Sequence, residues 1–185
     1  GFFIPVGQGF FVEASPSGGQ ISFRNKQGVF EKETTGNSVF MRNSANNNAD
    51  RNDDIQRIRL LFTAPDGGRR PLLLGFVNNE NVTDGVDWGY DGKNLDESSH
   101  SDLNWSIDNE NYVIQGVGEF DIDKQYPLNM FLTDSGMAKI KLTDLENFES
   151  PIDVYVYDSY LGTYTQINEG DFKLDMDAGE YNNRF

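Results

Sequence analysis

Three carboxylates fall within eight residues in Asp84-Gly85-Val86-Asp87-Trp88-Gly89-Tyr90-Asp91, and Gly92 follows directly. Calcium takes about six to eight oxygens from carboxylates and turn carbonyls, and glycines permit the sharp turns that present them. Two like charges 4 Å apart repel by about 1 kcal/mol in water and by ~4 kcal/mol at an effective dielectric near 20. A divalent cation would remove that repulsion. Asp87 and Asp91 are the expected ligands, with Asp84 third and Ca2+ as the cofactor. The order of acids is not that of an EF-hand. The competing reading is a run of Asx turns in which each carboxylate caps nearby backbone N–H groups. Trp88 and Tyr90 alternate with the acids, so they are expected to anchor the loop in the core. Asp121 with Asp123, and Asp175 with Asp177, are weaker acidic pairs.

Tyr155, Tyr157, Tyr160 and Tyr164 form a second constellation. In Val154-Tyr155-Val156-Tyr157 the tyrosines share the face opposite the valines. An exposed aromatic strip of this kind suits stacking on sugar rings, whereas a covered one is ordinary packing. Catalytic machinery is not apparent. The single histidine, His100, sits in a polar stretch that reads as an exposed loop. There is no Gly-x-Ser-x-Gly elbow, no His-Glu-x-x-His zinc motif and no phosphate-binding loop. Gly7-Gln8-Gly9 lacks the setting of a dinucleotide site. Glycoside hydrolysis needs two opposed carboxylates, and no pair stands out among the 30 acids. No catalytic residue is assigned, and the chain is expected not to be an enzyme.

The elements that must position these groups are strands. Ile58, Leu60 and Phe62 alternate with Arg57, Arg59 and Leu61. Ile140 and Leu142 alternate with lysines, Leu128, Met130 and Leu132 with Asn129 and Phe131, and Ile152, Val154 and Val156 with Asp153, Tyr155 and Tyr157. Period-two patterns of this kind belong to sheets with one buried face. Turn residues separate the runs at Ser15–Gly19, Pro65–Gly68 and Asp134–Gly136, which predicts hairpins. The expected fold is all-β, an antiparallel β-sandwich of jelly-roll type. Its expected core is Ile58, Leu60, Phe62, Leu72, Leu74, Phe76, Ile114, Leu128, Met130, Ile140, Leu142, Val154 and Val156. Residues 43–54 read as a polar loop, residues 78–108 as an ordered excursion holding both tryptophans, and residues 143–148 as one helical turn.

Composition narrows the partners. The chain has 185 residues, with 30 acidic against 15 basic side chains and a formal charge of −15. That sign repels phosphate backbones and anionic lipid, so nucleic acid is excluded as a partner. No apolar run reaches the ~20 residues of a membrane helix, so no membrane insertion is expected. The absence of cysteine removes disulfides and thiol chemistry. The start at Gly1-Phe2-Phe3-Ile4-Pro5 shows no signal peptide. It suggests that 1–185 is a single β-sandwich module cut from a longer protein, with the rest of that polypeptide as its first partner.

The chain resembles a β-rich module of large secreted proteins of Bacteroidota, especially flavobacteria, often found just before the sorting domain read by the type 9 secretion system. The resemblance rests on Ile4–Val12, Gly18–Asn25, Ile58-Arg59-Leu60 with Leu74-Gly75-Phe76, Val86-Asp87 to Tyr90-Asp91-Gly92, Val113–Gly116, Tyr126-Pro127-Leu128, and Gly179-Glu180-Tyr181 with Asn183-Arg184-Phe185. These segments run in family order over nearly the whole chain. The resemblance implies a cell-surface location, the type 9 machinery as a partner, and a non-catalytic structural or adhesive role. Asp87 and Asp91 match recurrent acidic positions of the family, which favours the ion reading. The family's preceding strands and sorting domain have no counterpart in residues 1–185, so the fold is expected to be incomplete without flanking sequence. The tyrosine strip carries the alternative expectation, a carbohydrate-binding module attached to a glycan-active enzyme, with surface glycan as the ligand.

Overall fold

The computed structural model describes residues 12, 16–24, 27–28, 55–79, 82–96 and 100–185. The chain divides into two units, Gly1–Asn52 and Asp53–Phe185. In the first unit, the run Ile21–Phe23 was expected to be a strand, but it carries none and both apolar side chains are exposed. Of Ile4–Val12, which the resemblance implies is an entry strand, only Val12 is described, outside any strand and exposed; Gly7-Gln8-Gly9 and the polar loop at 43–54 lie outside the described residues.

The second unit is all-β and sandwich-like, with no α-helix among the described residues. Its strands are β1 (Gln56–Thr63), β2 (Arg69–Phe76), β3 (Gly92–Lys93), β4 (Asp102–Ile107), β5 (Glu110–Val117), β6 (Leu128–Leu132), β7 (Gly136–Glu146), β8 (Tyr155–Asp158), β9 (Thr163–Gln166), β10 (Phe172–Met176) and β11 (Gly179–Asn182). The large sheet runs β10-β7-β1-β2-β5-β4-β6-β11, with β3 on β5, and β8-β9 form a separate hairpin. Only Asp177 and Ala178 lie between β10 and β11, although these strands end the sheet on opposite sides. The sheet must therefore curl until its edges meet. Among the described residues every pairing is antiparallel except β2 with β5. The excursion at 78–108 makes that parallel pairing possible, because it supplies β3 and β4 before β5 enters the sheet.

The alternation seen in the sequence sets the inner face. Ile58, Leu60, Phe62, Leu72, Leu74, Phe76, Leu128, Met130, Ile140 and Val156 are buried, while Leu142 and Val154 are half-buried. Ile114, expected in the core, is 39 % exposed. The cause is a bulge in β5. Gly92 of β3 pairs with Ile114, but the next residue, Lys93, pairs with Tyr112. One extra residue on a strand turns the following side chain to the other face. Tyr112 and Val117 thus join the core while Ile114 points out. Its neighbour there is Gly92, which has no side chain to cover it; a Cβ at Gly92 would lie 3.2 Å from Ile114. Where a helical turn was expected at 143–148, residues 143–146 are instead the end of β7, held by pairing with β1 across a register shift between Arg59 and Leu60. Asn147 then turns the chain with a positive φ of 63°.

Candidate functional site

The acidic loop is organised by its own backbone. Asp87 Oδ2 accepts from the Thr83 N–H (2.5 Å) and hydroxyl (3.0 Å). Asp91 Oδ2 accepts from the Asp87 N–H at 2.5 Å, and its Oδ1 accepts from the Gly116 N–H of β5 at 2.7 Å. Asp84 takes Lys124 Nζ on both oxygens, at 2.9 and 2.7 Å. Among the described residues no three acidic or histidine side chains stand close enough to hold a metal ion. Asp87 thus serves local donors, as in an Asx turn, Asp91 serves one local donor and one on β5, and Asp84 serves a distant lysine. Trp88 does not anchor the loop in the core; it is 85 % exposed. The loop is held instead by Asp91 and by Tyr90, which lies so close to β5 that a Cβ on Gly116 would sit 2.7 Å from its Cβ.

Burial pushes the Asp91 carboxyl up from its ordinary value, the two backbone donors oppose that shift, and Asp87 adds to it. A carboxyl whose folded pKa is raised binds its proton more tightly when folded. Its contribution to stability therefore falls as pH rises from the unfolded value of about 3.9 through the folded one. Asp91→Ala removes the acceptor of two N–H groups. It is expected to destabilise the protein by about 1–3 kcal/mol for each donor left unmet. Urea denaturation with and without calcium checks this. The same loss in both media identifies Asp91 as a backbone brace; a loss seen only with calcium present would make it an ion ligand.

The tyrosines gather at the mouth of a cleft. The β8-β9 hairpin places Tyr157 and Tyr164 opposite each other, with rings stacked 4.5 Å apart at 28°. Tyr155 meets the edge of Tyr164 at 6.5 Å. Tyr155 and Tyr164 are exposed, Tyr164 by 60 %, and Gln125 donates to the Tyr164 hydroxyl at 3.2 Å. Tyr160 stands apart from this row, on the hairpin turn, with the Arg184 guanidinium 4.7 Å from its ring centre. The cleft, about 720 Å³, is lined by the hairpin on one side and by Ile58, Leu74, Phe76, Trp105 and Leu128 of the large sheet on the other. Phe76 and Phe120 meet edge to face at 5.1 Å, and Tyr126 lies 6.0 Å from Phe76. The Tyr126 hydroxyl is buried without a partner among the described residues, and burial raises its pKa to about 12.

The cleft also carries carboxylates. Asp121 accepts from the Asp123 N–H at 2.9 Å, and Asp153 accepts from Gln166 Nε2 at 2.8 Å. His100 lines a different hollow, on the outer face of the large sheet. The hairpin is locked to the C-terminus by Asp158, which accepts from Arg184 Nε at 2.9 Å and Nη2 at 2.8 Å. This pair was not apparent from the sequence, because a lone Asp and a lone Arg 26 residues apart carry no spacing signal.

No curated protein and no solved structure matches the chain. A family model does match, over residues 1–185, and its description is a domain of unknown function, DUF8693. Matched along its entire length, the chain belongs to the DUF8693 family.

Proposed function

We propose that this chain is a non-catalytic, glycan-binding module of an exported surface protein. The observation that carries the reading is the row of Tyr155, Tyr164 and Tyr157 at the mouth of an apolar cleft. Exposed rings held edge to face and stacked are preorganised, so little side-chain entropy is lost when the apolar face of a sugar ring settles on them. The cleft is of the size that small ligands occupy. The acidic, cysteine-free composition and the resemblance to modules of type 9 secreted proteins support the surface location. The structural or adhesive reading also has an observation in its favour: Trp88, Val86 and Tyr90 are exposed together on the 84–91 loop, an aromatic surface suited to contact with another protein chain.

Affinity electrophoresis in gels containing soluble polysaccharides tests the glycan reading. Tyr164→Ala and Tyr155→Ala are expected to weaken retention about tenfold each, with melting temperature little changed because both side chains are exposed. No retention of the wild-type chain by any neutral or acidic polysaccharide would sink the reading.

A further inference from the structure

We propose that a second hollow, on the outer face of β4, β6 and β11, is a binding site for a neutral sugar ring. The site is separate from the tyrosine-edged cleft and stands without it.

Strand register builds it. Asn104 of β4 pairs with Asn129 of β6, and Asn129 pairs with Asn182 of β11, so three amides form one row across three strands. One step along, Asp102, Phe131 and Glu180 form a parallel row. Both rows line a hollow of about 350 Å³, with His100 and Asn94 also on its wall.

The decisive group is Asn104. It is only 4 % exposed. Its Oδ1 accepts from Asn94 Nδ2 at 2.7 Å, and the residue lines the hollow. With its oxygen committed to Asn94, an amide at the wall of a hollow has its N–H groups to offer a ligand hydroxyl. Its orientation is fixed from behind. Asn94 Nδ2 also donates to Asp102 Oδ2 at 2.9 Å. Arg70 grips Asp102 through Nε at 2.6 Å and Nη2 at 2.9 Å. A chain of Arg70, Asp102, Asn94 and Asn104 therefore turns the Asn104 oxygen away and presents its NH2 group. Asn129 is held likewise: its Nδ2 donates to Asn111 at 3.0 Å, and its Oδ1 accepts the Asn183 N–H at 3.2 Å. Effort of this kind preorganises a site.

The chemistry of the wall selects the ligand. Amides offer both donors and acceptors, and the Glu180 carboxylate accepts two hydrogens. Adjacent hydroxyls on a ring satisfy such a set, since each hydroxyl donates and accepts. Phe131, exposed in the middle of the second row, offers an apolar face for the ring's C–H groups. Among the described residues no lysine or arginine lines the hollow, while Asp96, Asp102 and Glu180 do. Arg70 answers the first two, and the residual sign disfavours an anionic ligand.

The test is nitrogen–proton NMR of side-chain amides in the intact chain, titrated with neutral oligosaccharides of glucose, mannose, xylose and galactose to about 10 mM. The expected result is a saturable shift of the Asn104 and Asn182 amide resonances with at least one of them. Asn182→Ala and Phe131→Ala, both on the outer face, should each weaken that response about tenfold. Tyr164→Ala should leave it unchanged. Amides that stay silent while the sugar perturbs Tyr155 and Tyr164 overturn this inference and leave the tyrosine face standing. Amides that shift when Tyr164→Ala has no effect on any binding support it and sink the tyrosine reading. Silence at both places overturns both.

Discussion

Asp158→Ala is expected to destabilise the fold by about 3–5 kcal/mol, the cost of leaving a buried charge without its partner. Asp158 is 0 % exposed, and its carboxylate serves four donors. Besides the two from Arg184, the Tyr160 and Leu161 N–H groups reach Oδ1 at 3.0 and 3.3 Å. Arg184 is itself sandwiched among aromatic rings, 4.7 Å from the centre of Tyr160 and 5.0 Å from Phe185. Without Asp158 its guanidinium keeps those neighbours and loses its counter-charge. The double variant Asp158→Ala with Arg184→Met should recover part of the loss, because no unpaired charge remains. Urea denaturation of the two single variants and the double one completes the cycle. Additive losses would show that the pair contributes nothing as a pair. The Arg184 hydrogen bonds hold the Asp158 carboxyl below its ordinary range. A depressed carboxyl contributes stability that is present above its unfolded value of about 3.9 and is lost as pH falls through the folded one. The wild type should therefore lose this contribution in acid, and Asp158→Ala should show a shallower acid limb.

Phe76→Ala is expected to cost a further ~3–5 kcal/mol, lowering the melting temperature by roughly 6–20 °C. Phe76 ends β2, is 4 % exposed, and meets three rings: Phe120, Tyr126 and Phe148, at 5.1, 6.0 and 6.1 Å. Phe120 and Phe148 also meet each other, at 5.4 Å, so the ring at position 76 is the common neighbour of the cluster. Its removal opens a cavity that the remaining rings cannot close without leaving their edge-to-face geometry. Phe76, Phe120 and Tyr126 line the same cleft as the tyrosine row, so the variant should also weaken glycan retention while leaving the outer hollow's response intact. A calorimetric melt checks the stability. A loss below about 1 kcal/mol would mean that the cleft collapses freely and its rings are not packed as described.

The strands and their inward faces were legible because period-two alternation is a local property: Ile58, Leu60 and Phe62 declare one face without reference to any partner. The tyrosine row was legible for the same reason, as Tyr155 and Tyr157 oppose Val154 and Val156 in four consecutive residues. Ile114 was misplaced because its side depends on a bulge, and a bulge is fixed by which residue of β3 meets which residue of β5. The carboxylates of the 84–91 loop could be counted in sequence, but the acceptor role of Asp91 depends on Gly116, 25 residues away on another strand. The same holds for Asp158 with Arg184, and for the row of Asn104, Asn129 and Asn182. Each residue alone is an ordinary polar position that declares no partner in the sequence. The local pattern thus determined an all-β chain with an apolar inner face and aromatic and acidic outer positions. Tertiary structure alone decided which of those positions meet, because strand order, parallel or antiparallel sense and register are set by long-range pairing, and a one-residue change in register moves a side chain to the other face.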